Sequence, residues 1–587
     1  MTTLVTTELA QTWPTDEDII LLGEWCRPFG GFASRSASNL AMVPYHWDDR
    51  AKLRADFHYL QNLNGQLLEE LAEVFAELHG TYEPAAYWRQ VLGYWLNVFT
   101  AVLLDRWCML AAASAQVRGL RSLVLPRDDA LAAAEDASTS IARAYDDPMW
   151  NHGLYGELME MQGGVTLSRV EAAPSVAKAV PAPRQAFLIR LAKQLGTLPM
   201  RAKRGDRVAL AQTRLPRTSE WRLEARYRQV PAFWSWPAPV AVAHDPRWRA
   251  WQLPRRKEQT AFENAVRRLL PKYIPRCFLE GFGAMHEQVR QLALPRAPRV
   301  IWTSVLHFSS EPFNLWVAEQ RATGARLVIG EHGGLGVGAF NGAHAHERSI
   351  ADRYLSTGWS DEGDPRVVPV GNFRLKPRRS RWNHHGKALL VCGLMPRYSF
   401  DLRAMMISSQ VLSYFEDLFG FVAALPEAIA NELRVRLYRQ DYGWKQAARW
   451  KSRFPNVDLD SGAGSIWTAV RDCRLFISTY NATTYIESLS LDVPTVMFWN
   501  PEHWEIKDSA QPYFDALEDA GIFHRTPRAA ADHVAKVWSD VAAWWRAPAV
   551  RLARDRFLGQ YSAHNSDVLN RIDGVLREEV ALARASG

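Results

Sequence analysis

Hydroxyl and amide side chains crowd the end of one apolar run, Leu475-Phe-Ile-Ser-Thr-Tyr-Asn-Ala-Thr-Thr-Tyr-Ile-Glu487. Apolar residues, then a polar stretch, then a helical pattern read as strand, turn and helix. Ser478, Thr479, Asn481, Thr483 and Thr484 fall where free helix N–H groups and side-chain hydroxyls can converge on an anion. Glu487, one turn further in, is placed to accept hydrogen bonds from ribose hydroxyls. One Ser, Thr or Asn is enough to cap a helix. Five are more than a cap needs, and phosphate or nucleotide binding is the favoured reading.

A second constellation follows another apolar run: Glu331-His-Gly-Gly-Leu-Gly-Val-Gly338, with His344, His346 and Glu347 just beyond. Gly333 and Gly334 let backbone approach a substrate closely. His332, with Glu331 or Glu347, supplies groups for acid–base work, and His346 a further substrate contact. The run is not a GxGxxG dinucleotide fingerprint. Neither HExxH nor a carboxylate cage occurs, so no metal is expected, and without GxSxG no serine nucleophile is. Arg439 and Asp441 follow the β-like run 434–438 and are expected in the same cleft, Arg439 toward phosphate and Asp441 toward substrate. Glu8 and Glu24 end two N-terminal runs, where an acceptor could bind.

The elements that must carry these residues alternate. β-like runs are read at 2–7 and 18–23, helices from 48 to 115, and an Ala-rich helical stretch at 126–200. Residues 201–260 are rich in Arg, Trp and Pro and receive no assignment. Beyond 261, runs at 299–304, 326–330, 353–356 and 367–370 alternate with helices, and the alternation restarts at 388–392, 434–438, 475–478 and 493–498. Strand and helix in alternation indicate parallel α/β sheets. The expected plan is an N-terminal acceptor-side domain at 1–375, a basic linker at 376–386, and a nucleotide-binding domain with a helical tail at 387–587. Ligands of such sheets sit outside the carboxyl ends of the strands.

The chain has 587 residues, 48% hydrophobic and 23% charged, which excludes a mainly disordered protein. Lys and Arg number 70 against 63 Asp and Glu, an excess of +7 that permits contact with phosphate or an anionic membrane surface. The five cysteines are far apart and form no CxxC, which suits a reducing cytoplasm. No signal peptide is expected at the N-terminus. The apolar stretch 91–104 is too short to span a bilayer and reads as a buried helix. Arg-rich stretches occur without a nucleic-acid recognition module, so nucleic acid is not an expected partner.

Taken together, Thr6-Thr-Glu-Leu-Ala-Gln-Thr-Trp-Pro14, Leu22-Gly-Glu-Trp-Cys26, Tyr45-His-Trp-Asp-Asp-Arg50, Asp105-Arg-Trp107, Gly330-Glu-His-Gly-Gly334, Ser356-Thr-Gly-Trp-Ser360, Asp441-Tyr-Gly-Trp444, Ser478–Thr484 and Phe498-Trp-Asn-Pro-Glu-His-Trp504 resemble a family of bacterial surface-carbohydrate transferases. That family is similar in plan to GT-B capsule and lipopolysaccharide enzymes using CMP-activated Kdo or nonulosonic acids. The resemblance implies an α/β, GT-B-like fold of two Rossmann-type domains facing a cleft, the N-terminal half enlarged by helices. It implies a nucleotide-sugar donor held by the C-terminal half through Ser478–Thr484 and Glu487, a glycan or lipid-linked acceptor held by the N-terminal half, and no cofactor or metal. Peripheral contact with the inner membrane face fits that role. The chain carries Glu331 where related chains tend to carry Gln, which separates Glu331 from His332 and the glycines. Two other expectations compete: transfer of a polyol phosphate, as in teichoic-acid synthesis, and a non-catalytic glycan-binding component of a synthesis complex.

Overall fold

A computed structural model describes residues 2–585 apart from 15–16, 31–39, 127–128, 171–207, 229–235, 255–258, 293, 296, 335, 375–381 and 400. It contains three sheets, and every pairing between the described strands is parallel. The first has the order β3-β2-β1-β4-β5, built from β1 (Thr3–Val5), β2 (Ile19–Leu21), β3 (Leu40–Met42), β4 (Leu120–Val124) and β5 (Val165–Arg169). The second runs β10-β9-β8-β7-β6, from β6 (Val208–Ala211), β7 (Val300–Thr303), β8 (Arg326–Gly330), β9 (Arg353–Ser356) and β10 (Val367–Pro369). The third runs β13-β12-β11-β14-β15-β16, from β11 (Ala388–Val391), β12 (Leu433–Arg436), β13 (Asp458–Asp460), β14 (Leu475–Ser478), β15 (Thr495–Phe498) and β16 (Phe523–His524). The central strands β7, β11 and β14 are buried throughout, as parallel strands covered on both faces must be.

Segments after β8 meet the third-sheet region through the isolated bridges Gly338–Ile506 and Asn341–Arg403 and the Gly334–Thr483 contact. The N-terminal half is larger than expected because it holds a complete extra sheet in addition to helices. That sheet carries two long helices, α1 (Arg50–His79) and α2 (Ala85–Gln116). Asp49 caps α1 by accepting from Lys52 N–H at 3.0 Å, and Gly80 ends it in the left-handed region at φ +65°. α2 is apolar nearly all round, the mark of a helix surrounded by protein. By length and composition it could cross a membrane, yet 67% of its most apolar window is buried within the fold. It packs against α1 and against helices Glu311–Ala322 and Gly342–Ile350 of the second sheet, so it ties the two N-terminal sheets together.

The C-terminal tail departs from expectation. Helix Val568–Ala585 leaves the third sheet and packs on the second, where Ile572 and Leu576 join Val208, Val300, Trp302 and Val328 in one apolar cluster. Its buried Glu579 accepts from Arg326 and forms an ion pair with Arg353 at 3.0 Å. Much of the expected linker at 376–386 lies outside the described residues.

Candidate functional site

The Gly-rich loop after β8 and the polar turn after β14 meet across the cleft. Gly334 N–H donates to Thr483 Oγ1 at 3.3 Å, and a Cβ at Gly333 would stand 3.0 Å from the same oxygen. A Cβ at Gly334 would collide with Ile486. Only glycine lets the two backbones approach this closely, which is what the loop composition encodes. Below the loop begins helix Thr483–Ser490, whose N-terminus carries no side-chain cap. Its first-turn N–H groups and dipole are therefore available to an anion.

His332 faces this point. Its side chain keeps 26% of its exposure, and its Nδ1 lies 3.2 Å from Glu347 Oε1, within reach but poorly aligned for a hydrogen bond. Catalytic contacts of this kind often tighten only when substrate is present. Glu347 is fully buried on helix Gly342–Ile350; the His307 ring donates to its Oε1 at 3.0 Å and Tyr354 OH to its Oε2 at 3.4 Å. Burial lowers the His332 pKa from its usual value against the pull of Glu347, and burial raises that of Glu347. The imidazole is thus held neutral, the form a general base requires. Asn341, by accepting from His344 N–H at 3.2 Å, caps the helix that presents Glu347.

Two arginines unforeseen from the sequence lie within electrostatic reach of His332. Arg374 donates to Glu487 Oε1 at 2.9 Å, and it lowers the pKa of that carboxyl group against the stronger effect of burial. Arg214 follows β6 within the stretch that had no assignment. Gln212 and Arg214 both adopt the left-handed region, at φ +52° and +65°, a strained backbone for residues other than glycine. Both guanidinium groups act electrostatically on His332. The only sequence signal for Arg374 was its place just past the run 367–370, and Arg214 had none.

Several expected site residues serve the framework instead. Glu331 is fully buried. Its Oε2 accepts from Thr357 N–H, Thr357 Oγ1 and Trp359 Nε1, each at 2.9 Å, and its Oε1 from Gly336 N–H at 3.3 Å. It braces the Gly-rich loop and has no face toward the cleft. His346 is packed under α2, where a Cβ at Gly93 would stand 2.9 Å from its ring, and burial lowers its pKa to about 3. Asp441 caps helix Gln446–Arg453, accepting from Lys445 and Gln446 N–H at 2.8 Å each. Thr479 donates to Val391 O at 2.8 Å and bonds to Tyr414 OH, while Ser478 donates to Tyr480 O at 3.3 Å. Asn481 accepts from Tyr485 OH at 3.1 Å, and Thr484 donates to Tyr480 OH at 2.9 Å.

Of the five polar residues in the motif, Thr483 alone reaches across to the Gly-rich loop, and the other four order the turn around it. Arg439 is exposed beyond β12. Glu8 pairs with the nearly buried Arg397 at 2.8 Å, and Glu24 lies 3.6 Å from Arg27. Arg397 also donates to Trp25 O at 2.8 Å and to Gly443 O at 2.8 Å, so the Glu8 region is a joint between the first and third sheets.

The model of the LIC12162 family transferases matches residues 2–573. The chain belongs to that family. As a member of the LIC12162 family it is a transferase, and no curated protein matches it. Among solved structures it is similar to MurG of Acinetobacter baumannii, with TM-score 0.32 and 12% identity over 64% of this chain and 100% of that one. It is similar also to WaaG, a glycosyltransferase involved in lipopolysaccharide biosynthesis, with TM-score 0.28 and 10% identity over 63% and 99% of the two chains. A third is the pneumococcal O-GlcNAc transferase GtfA in complex with UDP and GlcNAc, with TM-score 0.30 and 10% identity. This chain spans 59% of the GtfA chain, and the match covers 50% of its own length.

Proposed function

We propose that this LIC12162-family transferase moves a sugar from a nucleotide donor, a CMP-activated ulosonic acid in the finest reading, to a growing surface glycan. The reaction takes place in the cytoplasm at the inner membrane face, where the +7 charge favours an anionic surface. One observation carries the reading: the Gly334–Thr483 contact sets a neutral, carboxylate-backed His332 beside an uncapped helix N-terminus and two arginines.

In this reading the donor phosphate lies at the start of helix Thr483–Ser490, held by its N–H groups and by Arg374, with Glu487 turned to the ribose. The acceptor hydroxyl lies at His332. His332 Nε2 takes the hydroxyl proton as the acceptor oxygen bonds to the anomeric carbon. The bond from that carbon to the phosphate oxygen breaks, and its electron pair leaves with the nucleotide. The N–H groups and guanidinium groups stabilise the charge that develops there, and no metal is called upon. Purified protein incubated with CMP-, UDP- and GDP-linked sugars should release one nucleotide, unaffected by EDTA and slowed about 10²–10⁴-fold by His332→Ala. Absence of release from every donor would contradict the proposal.

A further inference from the structure

Five aromatic rings lead from the surface to His332. Tyr438 and Tyr442, in the loop after β12, stack with centroids 6.1 Å apart at 23°. Tyr442 meets Tyr145 edge-on at 6.3 Å, across the boundary to helix Ala137–Asp146. Tyr145 and Tyr94 of α2 belong to separate ring pairs, and both lie within electrostatic reach of the Asp401–Arg403 pair, whose charged atoms are 2.7 Å apart. Tyr94 lies 6.1 Å from Phe308, and Phe308 lies 4.9 Å from the His332 ring.

These rings differ from the aromatic pairs of the core. Trp95 and Phe99 stack at 4.9 Å and are sealed, as are Phe421 and Phe498 at 4.8 Å. Along the path, Tyr438 is 39% exposed and Tyr442, Tyr145, Tyr94 and Phe308 are all half-buried. Tyr94 keeps part of its surface open to solvent. A seam that only glued the halves together would close over its rings.

We infer that this row of rings is a binding track for a carbohydrate chain of more than one residue, whose end it delivers to His332. A pyranose has an apolar C–H face, which lies on an aromatic ring, and a rim of hydroxyls, which needs donors and acceptors. The tyrosine hydroxyls and the partly exposed Arg403 guanidinium offer such groups, while Asp401 is buried behind Arg403 and only neutralises it. Because Asp401 neutralises Arg403, the track suits sugar hydroxyls better than a phosphate chain. Calling that carbohydrate the acceptor rests on the glycosyltransferase reading; calling it a bound glycan does not.

The test is binding of the labelled full chain to an array of bacterial surface glycans. The wild type should retain at least one glycan. Tyr94→Ala and Tyr442→Ala should each weaken that binding about tenfold, and Tyr94→Phe, which keeps the ring, should restore most of it. CMP or UDP affinity by calorimetry should not change in these variants, which shows that the fold is intact. No retained glycan, or a Tyr442→Ala chain that binds as the wild type does, overturns the inference. If no nucleotide-sugar is turned over but binding still depends on the rings, the track stands and the transferase mechanism falls. Turnover without ring-dependent binding leaves the mechanism standing and removes the track.

Discussion

Two of the buried ionic clusters among the described residues are finished in different ways. In the first, Asp105 accepts from Tyr45 OH at 3.0 Å, from the His46 ring at 3.2 Å and from Arg106 at 2.7 Å. Arg106 donates onward to Ser399 O at 2.6 Å and to Asn151 Oδ1 at 2.8 Å, and its guanidinium lies between the rings of Tyr155 and Tyr398. Both charged side chains are essentially sealed. Burial pushes Asp105 up, but His46, Arg106 and Tyr45 outweigh it and hold the carboxyl below its usual value. In the second cluster Glu347 is equally sealed, but His332 stays open to the cleft on its far side. A charge cluster closed to solvent on every side holds a fold together, whereas one left open at a single ring can exchange a proton with a ligand.

Substitutions in the two clusters should therefore separate stability from turnover. Arg106→Ala leaves Asp105 buried without its charge partner and should cost about 3–5 kcal/mol in urea unfolding, or prevent folding altogether. A loss under about 1 kcal/mol would mean that the cluster is not the joint it resembles. His332→Ala should lower turnover by about 10²–10⁴-fold with the melting temperature nearly unchanged. Equal losses of stability at both sites would erase the distinction. Glu347→Gln keeps the shape but not the charge behind His332, and should cost roughly 10–100-fold in turnover, by analogy with other supporting partners of a reactive imidazole.

The smallest effect is in the pH profile. His332 must be neutral to accept a proton, and its pKa is lowered, so turnover should stay level as pH falls through 6.5 and decline only below it. The groups facing it are Glu347, which opposes the lowering, and His307, Arg374 and Arg214, which add to it. A decline centred above 6.5 would remove His332 as the base.

The sequence made the buried strands legible and the edges obscure. Runs expected at 299–304, 326–330, 353–356 and 475–478 contain β7, β8, β9 and β14, because strands covered on both faces are apolar throughout. The strands that escaped notice are, β4 apart, at sheet edges: β3, β5, β6, β13 and β16. β5 reads Val-Thr-Leu-Ser-Arg and is half-exposed, so its pattern is too polar to stand out. β4 fell in the short gap between the helical stretches read at 48–115 and 126–200, which had no assignment. Both halves of the site were legible as motifs, because glycines and clustered hydroxyls are compositional signals. Roles within them were not. Whether Glu331 or Glu347 stands behind His332 depends on where Thr357 and Trp359 lie in space, and the Arg374–Glu487 pair joins residues far apart in the chain.

The central claim is a nucleotide phosphate bound where the Gly-rich loop meets helix Thr483–Ser490. Calorimetric titration of CMP, UDP and GDP into the full chain tests it most directly. One nucleotide should bind in the ~1 μM–1 mM range usual for enzyme substrates, and Arg374→Ala should weaken it about tenfold. No binding of any of the three, or an affinity unchanged by Arg374→Ala, would contradict that assignment.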